Sequence, residues 1–353
     1  MFALESFGLT DILECSSALR RMGEGASSME GAANSVVRYL YDHLIDKESG
    51  DRAVALARLF KTHRCEHLPP SLRTFASTAA GATEDELARF PCLTLLGTAG
   101  DEPDWNDRRK SVGHQTIPLV SAAAVEASPM IAQLLGTFGV DVDAILAPDP
   151  SLFRRLDAAN CGVFHVPEAA GSSCVPDQDF VRAHGIRSVL GFGGVLPSGY
   201  VFAVVLFTKV VVPAETADAF AAVAHAVNLA LLPFVERKLF DEEDNPAAEA
   251  EDRELRIAMA EAAALGRLLD VRQEVVLQQA LRLEQAVRAA EDRAEELARS
   301  RAQLASSEAR KTAILDAALD SVITMDRDGR IVEFNPAAEA TFGYSRNEAV
   351  GEH

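Results

Sequence analysis

The stretch Ala183–Phe207, AHGIRSVLGFGGVLPSGYVFAVVLF, decides how the first two-thirds of this chain folds. Arg187–Phe192 and Tyr200–Thr208 are rich in Val, Leu and Phe, residues that suit a pleated, buried surface. Leu196-Pro197-Ser198-Gly199 between them is a turn-forming run. The two strands therefore form an antiparallel pair. Working outward, Ala53–Phe60, Cys92–Thr98 and Gly162–Val166 read as further strands. Met29–Leu44 reads as a helix with Val36, Val37, Leu40 and Leu44 at helical spacing, and Ala214–Phe234 as another with Phe220, Val223, Val227 and Leu231 on one face. The most apolar run, Tyr200–Val212, is broken by Lys209 and is too short to cross a bilayer, so it reads as a buried strand.

At 353 residues the chain has room for two or three domains. A net charge of −19 argues against direct binding to nucleic acid or anionic membrane, whose phosphates repel such a surface. Arg108-Arg109-Lys110 is the only compact basic patch. The five cysteines are widely spaced, with no CxxC, which favours reduced thiols. Asp11 and Glu14 interrupt the mildly apolar start, so no signal peptide is read there. A cytoplasmic protein is expected.

The composition changes at the acidic, Pro-containing break Asp241–Pro246. From Glu249 to Lys311 there is no Pro, and Gly266 stands alone among helix formers. Leu255, Met259, Ala262, Leu269, Val276, Leu283, Val287, Ala294, Leu297 and Leu304 follow a seven-residue repeat. That pattern predicts a parallel coiled-coil homodimer spanning roughly 75 Å. Gln273 and Arg301 interrupt the seam. The alternative is a single solvated helix held by charge pairs four residues apart.

Beyond it, Val322–Met325 and Arg330–Phe334 flank Asp328-Gly329, a strong hairpin signal. Asn335-Pro336 opens a short helix that Gly343 closes, and Ser345 with Glu348 forms a capping box. With these elements, Ile314–Gly351 (ILDAALDSVITMDRDGRIVEFNPAAEATFGYSRNEAVG) resembles the first half of a PAS domain. The resemblance implies a further long helix and three more strands, and hence a chain that is the front end of a longer signalling protein. The Ala183–Phe207 stretch and the helix after it are similar to the C-terminal half of a GAF domain. The unit carries extra sequence between Gly100 and Asn160, so the pocket wall there does not carry over from the family. The expected fold is α+β: a GAF-like antiparallel sheet with flanking helices over 27–235, linker and coiled coil over 236–315, and an incomplete PAS fold over 316–353.

This architecture implies sensory input and signal transmission, foremost as the front end of a sensor histidine kinase in a two-component system. Diguanylate cyclase or phosphatase input modules and a non-catalytic coiled-coil scaffold are the alternatives. No catalytic residue is assigned. No His occurs between His225 and His353, so the coil carries no phosphoacceptor, and there is no GxxxxGK[ST] or GxSxG run. His63-Arg64-Cys65-Glu66-His67 is the most metal-like cluster, but it lacks a second ligand group and no metal is assigned.

Trp105–His114 is different: the chain's only Trp stands beside Arg108, Arg109 and His114, the composition of a small pocket for an anionic or polar ligand. In the competing reading, Trp105 caps the core and the arginines form surface ion pairs. His165, on a strand between Phe164 and Val166, is placed with the same pocket or in a satisfied core position. The candidate ligand residues are Trp105, Arg108, His114 and His165. The residues name no cofactor.

Overall fold

The computed structural model describes residues 1–126, 129–137, 146, 161–235, 239–241 and 286–353. These divide into two units, Met1–Ala280 and Leu281–His353. The first half of the seven-residue repeat, with Leu283, lies outside the described residues.

In the first unit, strands β1 (Phe2–Ala3) and β2 (Leu44–Ile45) make a two-residue parallel ladder. The main sheet holds β3 (Val54–Arg64), β4 (Pro91–Gly100), β5 (Thr116–Pro118), β6 (Cys161–Val166), β7 (Ser188–Val195) and β8 (Val201–Thr208). Its order is β5-β4-β3-β8-β7-β6, and every pairing is antiparallel. β7 and β8 pair from Ser188–Thr208 to Val195–Val201, as the turn at Leu196–Gly199 predicts. Gly199 takes φ +80° there, a conformation in which a side chain would be strained. The result is an α+β fold with one six-stranded antiparallel sheet and flanking helices.

One face of the sheet is covered by α1 (Leu9–Arg20), α2 (Met29–His43) and a late helix, Ala214–Leu231. Val36, Val37, Leu40, Phe220, Val223, Val227 and Leu231 are completely buried in one cluster. Their spacing is the helical one read from the sequence, and it points a single apolar stripe at the sheet. Ala214–Phe234 is, among the described residues, the one helical stretch long and apolar enough to cross a membrane, but here it is the central core helix. Residues before 27 join the same core: Phe2, Leu4, Phe7, Cys15 and Leu19 are buried in it, and Phe7 stacks on Phe220 at 5.0 Å. The sheet domain thus takes in the N-terminal segment that the sequence reading left outside.

The opposite face carries short pieces. Whereas α3 (Pro70–Ala80) and α4 (Glu84–Leu87) bury Leu72, Ala76 and Leu87 in the helix-side cluster, these pieces are α5 (Ala122–Glu126), α6 (Pro129–Gly136) and α7 (Gln178–Ala183), with the Asp101–Gln115 loop. Beneath them a second cluster gathers Ala55, Phe60, Leu93, Leu95, Leu134, Phe164, Val205 and their neighbours. The late helix Ala214–Leu231 is α8 in chain order.

The second unit begins with described helix 286–317, α9. Its seam residues Val287, Leu297 and Leu304 are 48%, 53% and 62% exposed in the single chain. β9 (Ile323–Met325) and β10 (Ile331–Phe334) form the antiparallel hairpin, with Gly329 at φ +82° in the turn. α10 (Pro336–Phe342) is capped by the Asn335 carboxamide oxygen, which accepts from Ala338 N at 2.9 Å and from Val322 N at 2.8 Å. The Asn335 amide donates to Leu315 O and Asp320 O, so this one buried residue ties the end of α9 to the hairpin and to α10. α11 (Arg346–Ala349) starts at the Ser345/Glu348 capping box. Among the described residues of this unit, Phe334, Ala338 and Ala349 form the buried cluster.

Candidate functional site

The loop-covered face encloses a cavity of about 630 Å³. Its floor is the sheet: Leu56, Arg58 and Phe60 from β3, Leu93 from β4, Ile117 from β5, and Val205 and Phe207 from β8. The three β3 residues alternate in sequence and so share one face. The roof comes from α6 through Met130, Ile131 and Leu134, and from Val175–Phe180. The Asp101–Gln115 loop supplies the mouth, with Asp104, Trp105, Lys110, Ser111, Val112 and His114.

That loop is held by its own hydrogen bonds. Thr98 Oγ1 donates to Trp105 O at 2.8 Å, and the Asn106 amide donates to Gly100 O at 3.0 Å and to Glu102 O at 2.9 Å. Gly100 permits the close approach, because a Cβ there would stand 2.7 Å from Trp105 Cε3 and 2.9 Å from Ala55 O. Trp105 is half-buried, edge-on to His184 at 4.5 Å between centroids, and tilted against Phe180 at 5.7 Å. Phe180 meets Phe207 edge-to-face at 5.2 Å. The cavity therefore has an aromatic wall at one end.

Of the four residues singled out from the sequence, the structure brings two together. Trp105 and His114 both line the cavity. Arg108 turns away: its Nε donates to Glu30 Oε1 at 2.5 Å, its Nη2 to Glu30 Oε2 at 3.3 Å, and its guanidinium lies over the Phe240 ring at 4.5 Å. Both side chains of this ion pair are nearly buried, at 10% and 7% exposure. Arg108 anchors the loop to α2. His165 is on the other face, because its neighbours Phe164 and Val166 pack into the cavity-side cluster. Alternation puts it with Cys161 and Val163, beside the Val212 backbone and Asp218. The mixture has a physical reason: a 3-10 turn over Arg108–Lys110 sends successive side chains of the loop in different directions.

His114 keeps contact with water at the mouth, its Nδ1 3.0 Å from Val112 O. Packing around the ring and the nearby Arg58 charge lower its pKa, against smaller upward effects of Val112 O and Asp177. The neutral ring is favoured at pH 7.

The residue that sequence reasoning passed over is Arg58. It stands in the middle of β3, and among the described residues its Nε has no hydrogen-bond partner. Burial pushes its pKa down to about 10, which still leaves it charged at neutral pH. The signal was present as a lone Arg inside the apolar run Val54-Ala-Leu-Ala-Arg58-Leu-Phe60. The Ser111 hydroxyl is a second buried cavity group without a partner. Lys110, by contrast, is paired with Asp104 at 2.7 Å, and Asp177 accepts from Phe180 N at 2.9 Å.

The His63–His67 stretch holds no metal-like group. Among the described residues no cluster of three His, Cys, Asp or Glu could hold an ion. β3 ends at Arg64 and Cys65–His67 turn as a 3-10 helix, so strand alternation does not extend through the cluster.

Comparisons with known proteins bear on the second unit most directly. The family model described as PAS fold matches residues 309–353. An uncharacterized protein of Azorhizobium caulinodans is 51% identical over 55 residues, which is 16% of this chain and 8% of that protein's length. Among solved structures, the chain is similar to the crystal structure of the phycoerythrobilin-bound GAF domain from a cyanobacterial phytochrome. That overlap covers 62% of this chain and 92% of the other, at 10% identity and a TM-score of 0.29, too loose to carry an argument. The first unit is shown by its own six-stranded antiparallel sheet and flanking helices to be α+β, and its resemblance to a GAF domain rests on the Ala183–Phe207 stretch. In chain order, then, come an α+β sheet domain whose Ala183–Phe207 stretch resembles a GAF domain, a long helix, and a segment that matches the PAS fold model.

Proposed function

We propose that this chain is a cytoplasmic sensory input module, in which a small molecule bound in the sheet-domain cavity alters the state of the helix that leads to the PAS segment. The observation that carries the reading is the 630 Å³ cavity, a volume usual for small-ligand sites, with mostly apolar walls and a few polar groups. A ligand acts here by binding one arrangement of the domain better than another, and it shifts the balance by that difference in affinity. The seven-residue repeat, with Val287, Leu297 and Leu304 uncovered in one chain, supports a parallel homodimer as the element that changes state. The output that suits such an input best is a protein-histidine kinase, with a diguanylate cyclase or phosphatase as the other candidates.

The experiment has two arms. Native mass spectrometry of the purified chain should show a dimer that retains a small molecule, and Leu297→Cys should cross-link to its symmetry mate under mild oxidation. A monomer at micromolar concentration removes the transmitting element. For the output, the protein from its complete reading frame, given labelled ATP, should form an acid-labile, base-stable phosphoprotein. Failure of that arm while the first holds leaves an input module with a different output.

A further inference from the structure

Two cations stand on β3 with little access to water, Lys61 buried and Arg58 half-buried with a buried Nε, and they sit in different surroundings. Lys61 is sealed in, at 3% exposure, with its Nζ 3.2 Å from His63 Nδ1 and 4.7 Å from the centre of the Tyr200 ring. Arg58 lines the cavity, and among the described residues it takes part in no salt bridge. A guanidinium partly withdrawn from water, with its Nε buried and no carboxylate beside it, is unfavourable, and the missing partner would lie where the cavity is.

Of the other charged groups on the lining, Lys110 and Asp104 form an ion pair and, among the described residues, Asp177 caps α7 without a cation. The Ser111 hydroxyl, also buried and unpartnered, is a second donor on the cavity wall. Apart from His114 at the mouth, the rest of the lining is apolar, with Phe60, Trp105, Phe180 and Phe207 as aromatic surface.

We propose that the cavity takes a small organic monoanion, whose acid group pairs with Arg58 and Ser111 and whose apolar or aromatic body fills the space against Trp105 and Phe180. This rests on the reading of the cavity as the ligand site, and it names the class of ligand. A planar guanidinium engages a carboxylate or a similar acid through parallel hydrogen bonds, which are roughly twice as strong as neutral ones. A neutral molecule of the same shape would leave Arg58 unpaired and so would bind more weakly. A dianion would exceed the single guanidinium and meet the Asp177 carboxylate on the same lining.

The test uses two fluorescent probes that differ by one sulfonate: 8-anilinonaphthalene-1-sulfonate, and neutral N-phenyl-1-naphthylamine. Both are titrated into the whole chain. Arg58→Met should weaken the anionic probe about tenfold or more and change the neutral one by less than about twofold. Retained binding of the neutral probe also shows that the variant is folded. On the unaltered chain, benzoate should displace the anionic probe and benzamide should not, so the result does not depend on one variant. Ile131→Trp, which fills the cavity from α6, should abolish binding of both probes. If both probes bind Ile131→Trp as well as the unaltered chain, they sit elsewhere, and the ligand-site reading falls together with the proposal. If Ile131→Trp excludes both while Arg58→Met affects them equally, or benzamide competes as well as benzoate, the cavity stands as a ligand site and the monoanion is overturned. No saturable binding of either probe to the unaltered chain overturns both.

Discussion

The two faces of the central sheet are built by opposite means. On the helix side, backbone meets backbone: a Cβ on Gly97 would lie 2.7 Å from the Ala33 carbonyl, and one on Gly23 would lie 2.3 Å from Ala230 O. That side holds Leu40, Phe192 and Phe220 with no exposed surface. On the other side short helices and a 15-residue loop, 101–115, cover a cavity and leave polar atoms of Arg58 and Ser111 without partners. Close packing contributes stability on the first face. The second face gives up some of that contribution and gains a space that a ligand can complete. A mutation of one kind should therefore have different consequences on the two sides.

The largest contrast is expected between two phenylalanines. Phe220 is fully buried on the helix face and packs on Phe7 and Phe192. Phe220→Ala should lower stability by about 3–5 kcal/mol, since the surrounding helices cannot collapse into the void. Phe207 is partly exposed and borders a cavity that already exists. Phe207→Ala should lower it by roughly 1–2 kcal/mol, because few contacts disappear beyond the transfer of the ring itself. Urea denaturation of both variants measures the difference. Equal losses would mean that the cavity face is as tightly packed in solution as the other.

Arg108 tests where the loop belongs. Arg108→Ala leaves Glu30 buried with the Asp241 N–H at 3.1 Å as one remaining donor. A buried ion pair deprived of one partner loses about 3 kcal/mol or slightly more. Binding of the anionic probe should change much less than in Arg58→Met, because Arg108 faces α2. An effect on the probe with no effect on stability would restore the residue to the cavity.

Lys61 sharpens the contrast with Arg58 through pH. Burial depresses its pKa from 10.5 to about 7 in the folded chain, beside His63, whose own pKa burial and Lys61 hold well below its usual value. Between pH 7 and 10.5 the unfolded chain therefore holds a proton that the folded chain has released, so stability rises with pH across that window. From pH 7 to 9 the gain from this residue is at most about 2 kcal/mol. It should vanish in Lys61→Met, measured by denaturation at the two pH values. A slope that is the same in both chains would mean that Lys61 keeps its proton in the folded chain.

Much of this was legible from the sequence, and the limits have identifiable causes. Strands β7 and β8 were readable because a turn and two apolar runs agree locally. The PAS hairpin and its caps were readable for the same reason: Asp328-Gly329, Asn335-Pro336 and Ser345/Glu348 are local signals, and each forms as read. β3 extends to Arg64, past its expected end at Phe60, because β4 pairs antiparallel with it as far as Arg64 and β8 as far as Lys61, which carries the polar Lys61-Thr62-His63 stretch into the sheet. The N-terminal helix was missed because its apolar face becomes clear only against α8. The candidate site divided similarly. Trp105 and His114 stood out by composition, but the direction of Arg108 depends on Glu30, 78 residues away, which no local pattern reveals. Arg58 was read as part of a strand, and its meaning came from what does not pair with it.

The smallest effect expected is the most specific to the cavity face. The Ser111 hydroxyl is buried and lacks a hydrogen-bond partner, so the folded chain gains nothing from it to offset its loss of water. Removing such a group should leave stability unchanged within about 0.5 kcal/mol, or raise it slightly. Thr98→Val on the neighbouring strand is the control, since the Thr98 hydroxyl donates to Trp105 O at 2.8 Å and its loss should lower stability by about 1 kcal/mol. If Ser111 serves a bound acid group, Ser111→Ala should instead weaken the anionic probe by roughly 3- to 10-fold, about the value of one hydrogen bond. A stability loss as large as that of Thr98→Val would mean that the hydroxyl is already satisfied by solvent in the free chain. Its role would then be to hold the mouth of the cavity in place, and Arg58 would be left as the sole anchor for the anion.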